Sequence, residues 1–442
     1  MDRNKLEGLY RAHVSKLSAD TAQALRKNGY DALVIHSGRP QKRTQVDDAY
    51  WPLRVTPEFH RWLPLSEPGC ALVIEADRKP RLLRLVETNF WEALAPPEVD
   101  WFWGSFDVAE VGSEDKLRGL MPRGRVAFIG DEGAAAAACG IDAVNPPALV
   151  AELDRLRVHK TPYEMECVAE ANRRAAAGHE ELRRLFASSD QSELELHLSF
   201  LRATRQDDAE TPYKNIVALG AHSATLHHVS YSKRAHPAQS LLLDAGAGFA
   251  GYAADITRTW VKGSGAAASA FAGLVAQVEA MQQRLCAQAR PGLPYEALHD
   301  ESHRQVGGIL RETGLLKTSG EEGVAAGVTR AFYPHGLGHS LGLQVHDVGC
   351  ATVKPRPDNP FLRNTTVISE RQCFTVEPGI YFIDALLRPL REGPLARTVD
   401  WKLVDALAPF GGIRIEDDVI VQQDGVRNLT REVLPRGGGL VS

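Results

Sequence analysis

The stretch LLLDAGAGFAGYAADITRTW, residues 241–260, decides the reading of this chain. Two runs rich in aliphatic, β-branched and aromatic residues flank a glycine-rich centre, the text of two strands joined by a tight turn. Within it GAGFAG (246–251) satisfies G-x-G-x-x-G and follows the strand-like SLLLDA, where a dinucleotide fingerprint would stand. That reading needs a helix immediately afterwards and an acidic residue about 20 positions on. YAADITRTW follows instead, then an Ala/Gly-rich segment, so nicotinamide binding is set aside. With the turn centred on Phe249 and Ala250, Asp244 and Asp255 fall opposite each other on one face. Like charges so placed repel, and the apolar flanks worsen the repulsion by desolvation, so something positive is expected between them. Taken alone, the pair fits a solvated hairpin edge equally well, and other segments must decide.

Three of them carry chemistry. YPHGLGHSLGLQVHD (333–347) holds His335, His339 and His346 among glycines, on a loop or strand edge rather than a helix face. FTVEPGIYF (374–382) puts Glu377 at the end of an apolar strand, just before a Pro-Gly turn, where an exposed carboxylate is the plain alternative. In GGIRIEDDVIV (411–421), period-two alternation sets Ile413 and Ile415 on one face and Arg414 with Glu416 on the other, so Arg414 is expected to support Glu416 from behind. Asp244, Asp255, Glu377 and Glu416 together carry the charge that two divalent cations neutralise, and a histidine nitrogen with a bridging hydroxide completes such a shell. Oxygen ligands with a single imidazole favour Mn as first choice, with Co or Zn as alternatives.

The rest of the chain sets the context. At 442 residues it exceeds what one hydrophobic core usually supports, so two domains are expected. DALVIH (31–36), CALVIEA (70–76), RLLRLVE (81–87) and RVAFIG (125–130) read as strands of an α/β sheet. Thr161, Pro162 and Glu164 form a capping pattern that opens a long helix, and the boundary is set just before it. This gives an α/β N-terminal domain over 1–157 and an α+β C-terminal domain over 158–442. In the latter a second capping pattern, Ser192 with Glu195, precedes helical text at 266–289 and 294–315, which alternates with strand-like text at 215–220, 240–260, 373–383 and 412–422. The GGG at 437–439 reads as a loose tail.

Composition excludes several functions. The 51 basic and 56 acidic side chains give a formal charge of −5 with no long basic run, which argues against a nucleic-acid partner. Six widely spaced cysteines without a CxxC suit reduced thiols. MDRNKLEGLYRAHVSKLS is charged, without an apolar leader core, and no long apolar span follows, so cytoplasmic residence without membrane contact is expected.

LLLDAGAGFAGYAADITRTW, PHGLGHSLGLQVHDVG, FTVEPGIYF and GGIRIEDD, in this order, resemble the pita-bread metallopeptidases, the creatinase/aminopeptidase-like fold, and within them the bacterial branch that cleaves Xaa-Pro dipeptides. DALVIHSG, PYKNIVALGAHSATLHH and PFGGIRIEDDV extend the likeness over most of the chain. The resemblance implies a pita-bread catalytic domain at 158–442 and an N-terminal domain that dimerises and covers the active site. It implies that Asp244, Asp255, His339, Glu377 and Glu416 bind two metals, Asp255 and Glu416 bridging them and His339 beside Glu377 on one ion. It further implies that His227 and His346 hold the substrate and polarise its carbonyl, that Arg363 in PFLRN grips the proline carboxylate, and that Asp47 or Asp48 reads the free amino group, reaching across a homodimer interface. The activity implied is hydrolysis of Xaa-Pro dipeptides to free proline by a hydroxide between the metals, with Glu377 shuttling its proton. Hydrolysis of organophosphorus esters is an implied side activity. The alternatives on the same scaffold are aminopeptidase P-like cleavage of longer X-Pro peptides, a creatinase-like hydrolase, or a metal-free peptide-binding module.

Overall fold

The computed structural model describes residues 3–46, 48–86, 96–131 and 134–441. They form two compact units, Met1–Cys167 with Ala250–Tyr252, and Val168–Phe249 with Ala253–Ser442. The division falls inside the helix Pro162–Ser188. Its capping box forms as read: Thr161 N–H donates to the Glu164 carboxylate at 2.7 Å, and Glu164 N–H donates to Thr161 Oγ1.

The first unit is built on a mixed sheet of β1 (Ala32–His36), β2 (Ala71–Glu75), β3 (Arg81–Leu85), β4 (Asp107–Val111), β5 (Val126–Ile129) and β6 (Ala143–Val144), in the order β4-β3-β2-β1-β5-β6. All four expected strands are present, although Glu87, the last residue of one run, lies outside the described residues. β1 pairs antiparallel with β2 and parallel with β5 and is buried at every position. A strand covered on both faces has no polar side, hence the unbroken apolar text. The helix Arg3–Asn28 buries the stripe Leu6, Tyr10, Val14, Leu17 and Leu25.

The second unit is α+β. Its main sheet contains β7 (Ile216–Leu219), β8 (Ser240–Asp244), β11 (Thr257–Val261) and β17 (Gly438–Leu440), in the order β17-β11-β8-β7. β9 (Gly248–Phe249) and β10 (Tyr252–Ala253) form the hairpin tip. β12 (Cys373–Val376) pairs with β15 (Asp417–Gln422), which also pairs with β16 (Gly425–Asn428), while β13 (Gly379–Tyr381) pairs with β14 (Gly412–Arg414). The helix Ala266–Gln288 lays Phe271, Val275, Val278, Met281 and Leu285 into one core with Phe374, Ile413 and Val419. A second helix, Tyr295–Glu312, adds Leu298, Val306 and Leu310.

Two sequence expectations are corrected. The turn lies at Ala250 and Gly251, whose φ angles are 51° and 87°. A two-residue turn with both central φ positive matches the twist of the flanking strands, and Gly251 takes its position without steric cost. Phe249 stays in the strand, its ring under the Arg174 guanidinium at 4.5 Å. The pairing therefore runs two residues out of the expected register: Asp244 faces Thr257, while Asp255 stands diagonally on the same side. The GGG segment is no loose tail, because β17 pairs parallel with β11 and sets Gly438 against Thr259. A Cβ at Gly438 would lie 2.1 Å from the Thr259 carbonyl oxygen, so the glycine permits the pairing.

Candidate active site

Strand ends deliver the acidic side chains. Asp244 closes β8, Asp255 leads into β11, Glu377 follows β12, and Glu416 sits between β14 and β15. His339 comes from the glycine-rich segment, which runs beside β12 without being a regular strand. His339 N–H donates to Thr375 Oγ1 and Thr375 N–H to the His339 carbonyl, while Glu377 N–H donates to the Leu337 carbonyl at 2.8 Å. A Cβ at Gly338 would fall 2.1 Å from the Thr375 carbonyl oxygen, which explains the glycine between the histidines.

These five side chains converge. His339 Nε2 lies 3.4 Å from Asp255 Oδ2 and 3.6 Å from Glu377 Oε1. Ligand atoms of Asp255, His339 and Glu416 all lie within 4.8 Å of one another. His339 Nδ1 donates to the Ser340 carbonyl at 3.1 Å, which turns Nε2 toward the carboxylates. Asp244 joins through Arg414, whose guanidinium is ion-paired to it and also donates to Tyr381 Oη at 3.0 Å and Thr257 Oγ1 at 3.2 Å. Thr257 in turn donates to Glu416 Oε2 at 2.6 Å. Arg414 thus reaches Glu416 through Thr257, and its charge works against the rise of the Glu416 carboxyl, while one guanidinium nitrogen meets Asp244 directly.

The electrostatics are those of an overcrowded anion site. Burial, followed by its neighbouring carboxylates, pushes Glu416 well up, and burial lifts Asp244 despite Arg414. Burial likewise takes Glu377 up to about 7. Burial works against a charged His339, but Asp255 and Glu377 outweigh it and raise the imidazole to about 9. Four buried or half-buried carboxylates thus face one guanidinium and one imidazole. Hard oxygen donors with one nitrogen and surplus negative charge fit divalent cations, which would displace the Nε2 proton of His339.

Beside this cluster stands a more exposed group. The His346 ring is perpendicular to that of His339 with centroids 4.3 Å apart. Burial, with the charges of His339 and Arg363, pushes His346 down to about 4, and His227 acts in the same direction. His227 and Arg363 thus lie within electrostatic reach of His346, and all three are exposed. Asp48 is exposed on the first unit, in a segment closed by the Lys42–Tyr50 bridge, and Asp47 lies outside the described residues.

Tyr213 and Asp418 escaped sequence reasoning, while His335, already among the histidines it singled out, takes a supporting place. Tyr213 donates to Asp244 Oδ1 at 2.7 Å. His335 Nε2 meets Tyr381 Oη at 2.8 Å while its Nδ1 donates to the Gly336 carbonyl, so it braces Tyr381 behind Arg414. Asp418 accepts from the Asp255 amide at 3.0 Å and from Asn172 at 2.8 Å. The signal for Asp418 was in view, since EDD is too acidic for a strand as apolar as DVIV unless the acids are partnered. Tyr213 carried no such signal.

Comparison with known proteins bears on this arrangement. Residues 166–423 match Metallopeptidase family M24, and residues 8–154 match "Xaa-Pro dipeptidase, N-terminal domain". A Xaa-Pro dipeptidase of Pseudoalteromonas atlantica (strain T6c) is 40% identical over 97% of this chain and 99% of the relative. One from Aeromonas hydrophila is 39% identical over 96% and 98%. Among solved structures, zinc-substituted E. coli aminopeptidase P in complex with product superposes with a TM-score of 0.72 at 23% identity, covering 96% of each chain. Proline aminopeptidase P II from Yersinia pestis gives 0.70 at 22% identity, covering 98% of this chain and 97% of the other. These structural likenesses establish the pita-bread fold.

Proposed function

The chain belongs to metallopeptidase family M24, and from that premise we infer that it hydrolyses dipeptides with proline in second position, releasing free proline. The observation that carries the reading is the convergence of Asp244, Asp255, His339, Glu377 and Glu416 beside His227, His346 and Arg363 in one unit. Asp244, Asp255, His339, Glu377 and Glu416 would together hold a pair of divalent cations. When bound, the cations supply water activation at neutral pH and polarisation of the scissile carbonyl. Manganese is our assignment, on the oxygen-rich donor set, ahead of cobalt or zinc.

The protein's own residues do the rest. Glu377 takes the proton released by the attacking water and passes it to the proline nitrogen, which has no hydrogen of its own and must be protonated to leave. His346, kept neutral, donates toward the carbonyl oxygen, and His227 lines the same side. Arg363 pairs bidentately with the free carboxylate of proline. Arg414 holds Asp244, and Asp418 holds the Asp255 backbone, so the carboxylates keep their spacing when empty. Asp48 reads the substrate's free amino group across a homodimer contact that the N-terminal domain supplies. The six widely spaced cysteines, without a CxxC, favour a cytoplasmic setting. No helix among the described residues is long and apolar enough to cross a membrane.

The test is direct. Metal-stripped protein is given Mn, Co or Zn with Ala-Pro, Ala-Pro-Ala or Ala-Ala, and proline release is followed. Cleavage of Ala-Pro alone is expected. Turnover of the tripeptide in its place would move the chain to the aminopeptidase P-like reading, and no metal-dependent turnover would leave a peptide-binding module. A phosphotriester assayed in parallel tests the organophosphorus side activity.

A further inference from the structure

A second group of metal-ligating side chains lies in the same unit, built from other residues. Glu193 opens the helix Glu193–Thr204 and is completely buried. His222 Nδ1 lies 2.7 Å from its Oε1, and His228 Nε2 lies 3.0 Å from its Oε2. One ligand atom from each of the three residues falls within 4.8 Å of the others. The two imidazoles are stacked, with centroids 4.6 Å apart and planes 27° apart, and His236 stands 6.3 Å from His222.

We propose that Glu193, His222 and His228 form a second, independent binding site for one transition-metal cation of the zinc type. Two imidazoles and a carboxylate, with a position left for water, are a common zinc ligand set. Bonds of about 2.1 Å at tetrahedral angles set ligand atoms roughly 3.4 Å apart, so the 2.7 and 3.0 Å contacts open by about 0.4–0.7 Å on loading. The nitrogen-rich set separates this site from the oxygen-rich main cluster and disfavours magnesium or calcium.

Three further features fit an ion rather than a chance contact. Each carboxylate oxygen already has an outer partner, the Leu219 amide on Oε1 at 3.0 Å and the Ser232 amide on Oε2 at 2.7 Å, which is the kind of outer-shell support that orients metal ligands. The two stacked rings each present a nitrogen to the same carboxylate, so one ion there takes a ligand from each. The side chains also grade from fully buried Glu193 through His228 to half-exposed His222, leaving an entry path from solvent. The bound segment carries His227 between its two anchors, so an ion here would stiffen the chain on both sides of that residue.

The test uses the full chain. The Asp255→Asn variant, in which the main cluster is disabled, is stripped, equilibrated with Zn²⁺ and analysed for metal by mass spectrometry. About one zinc per chain should remain, and it should be lost in Asp255→Asn/His222→Ala. Co²⁺ in place of zinc should give visible ligand-field bands that vanish with the same substitution. In the otherwise wild-type chain saturated first with Mn²⁺, added Zn²⁺ should raise the melting temperature, and His222→Ala, a half-exposed change that leaves the core intact, should abolish the rise. Equal zinc content, equal cobalt spectra or equal zinc-dependent melting with and without His222 would overturn the site. Failure of the main-cluster reading looks different: Asp255→Asn would then bind as much metal as the wild type.

Discussion

Arg414→Met tests how the carboxylate cluster is held. Arg414 is 4% exposed and Asp244 8%, and the guanidinium is ion-paired to Asp244 Oδ2. Removing one member of a buried pair strands the other charge and costs about 3–5 kcal/mol. Tyr213 still donates to Asp244 Oδ1, which places the loss toward the lower end, about 3 kcal/mol. For a unit of this size that is a fall of roughly 6–12 °C in melting temperature. Metal-stripped wild type, Arg414→Met, Asp244→Asn and the double variant are melted side by side. The double variant should recover most of the loss, because the stranded charge is gone. With saturating Mn²⁺ the penalty should shrink, since a cation then faces Asp244, and the manganese needed for half-maximal activity should rise about 10–100-fold. A single variant that melts within about 2 °C of wild type, or a double variant no better than the single, would refute the claim that Arg414 exists to hold Asp244.

Three further outcomes follow from the same structure. Asp255→Asn should abolish metal-dependent turnover, while Arg363→Ala should raise KM with kcat little changed, because one builds the reactive centre and the other grips the ligand; wild-type rates in either would remove that role. His36 is buried, its Nδ1 accepts from Gly38 N–H at 3.0 Å, and burial pushes it down to about 4 from 6.5. The folded pKa lies below the unfolded one, so the stabilisation from neutral His36 is full above pH 6.5 and is lost as pH falls toward 4, at most about 3 kcal/mol. His36→Gln should flatten that acid limb of a stability-against-pH curve, and an unchanged limb would show that His36 does not govern it. Gly438→Ala should destabilise by about 1–3 kcal/mol, because its Cβ meets the Thr259 carbonyl, and denaturant melts showing no loss would mean that β17 does not hold to β11.

The candidate site was more legible than the backbone that presents it, and the hairpin explains why. Reading the turn at Phe249–Ala250 set Asp244 against Asp255, whereas the turn at Ala250–Gly251 sets it against Thr257. The slip is two residues, and side chains alternate with period two, so both aspartates stay on one face. A one-residue slip would have thrown them apart. Register depends on which residues accept positive φ, and the sequence offered Gly248 and Gly251 with Ala250 between them, too little to choose. The spacing of charged and apolar residues along each strand survives such an error, but it left three histidines open, and the choice of His339 together with Glu377 and Glu416 rested on the resemblance to the metallopeptidases. What could not be gathered was the hydroxyl relay through Thr257 and Tyr213, nor the parallel pairing that Gly438 permits. Those depend on which backbones pass within a Cβ of each other, and a neutral hydroxyl or a lone glycine looks the same in sequence whether it meets a carboxylate or water.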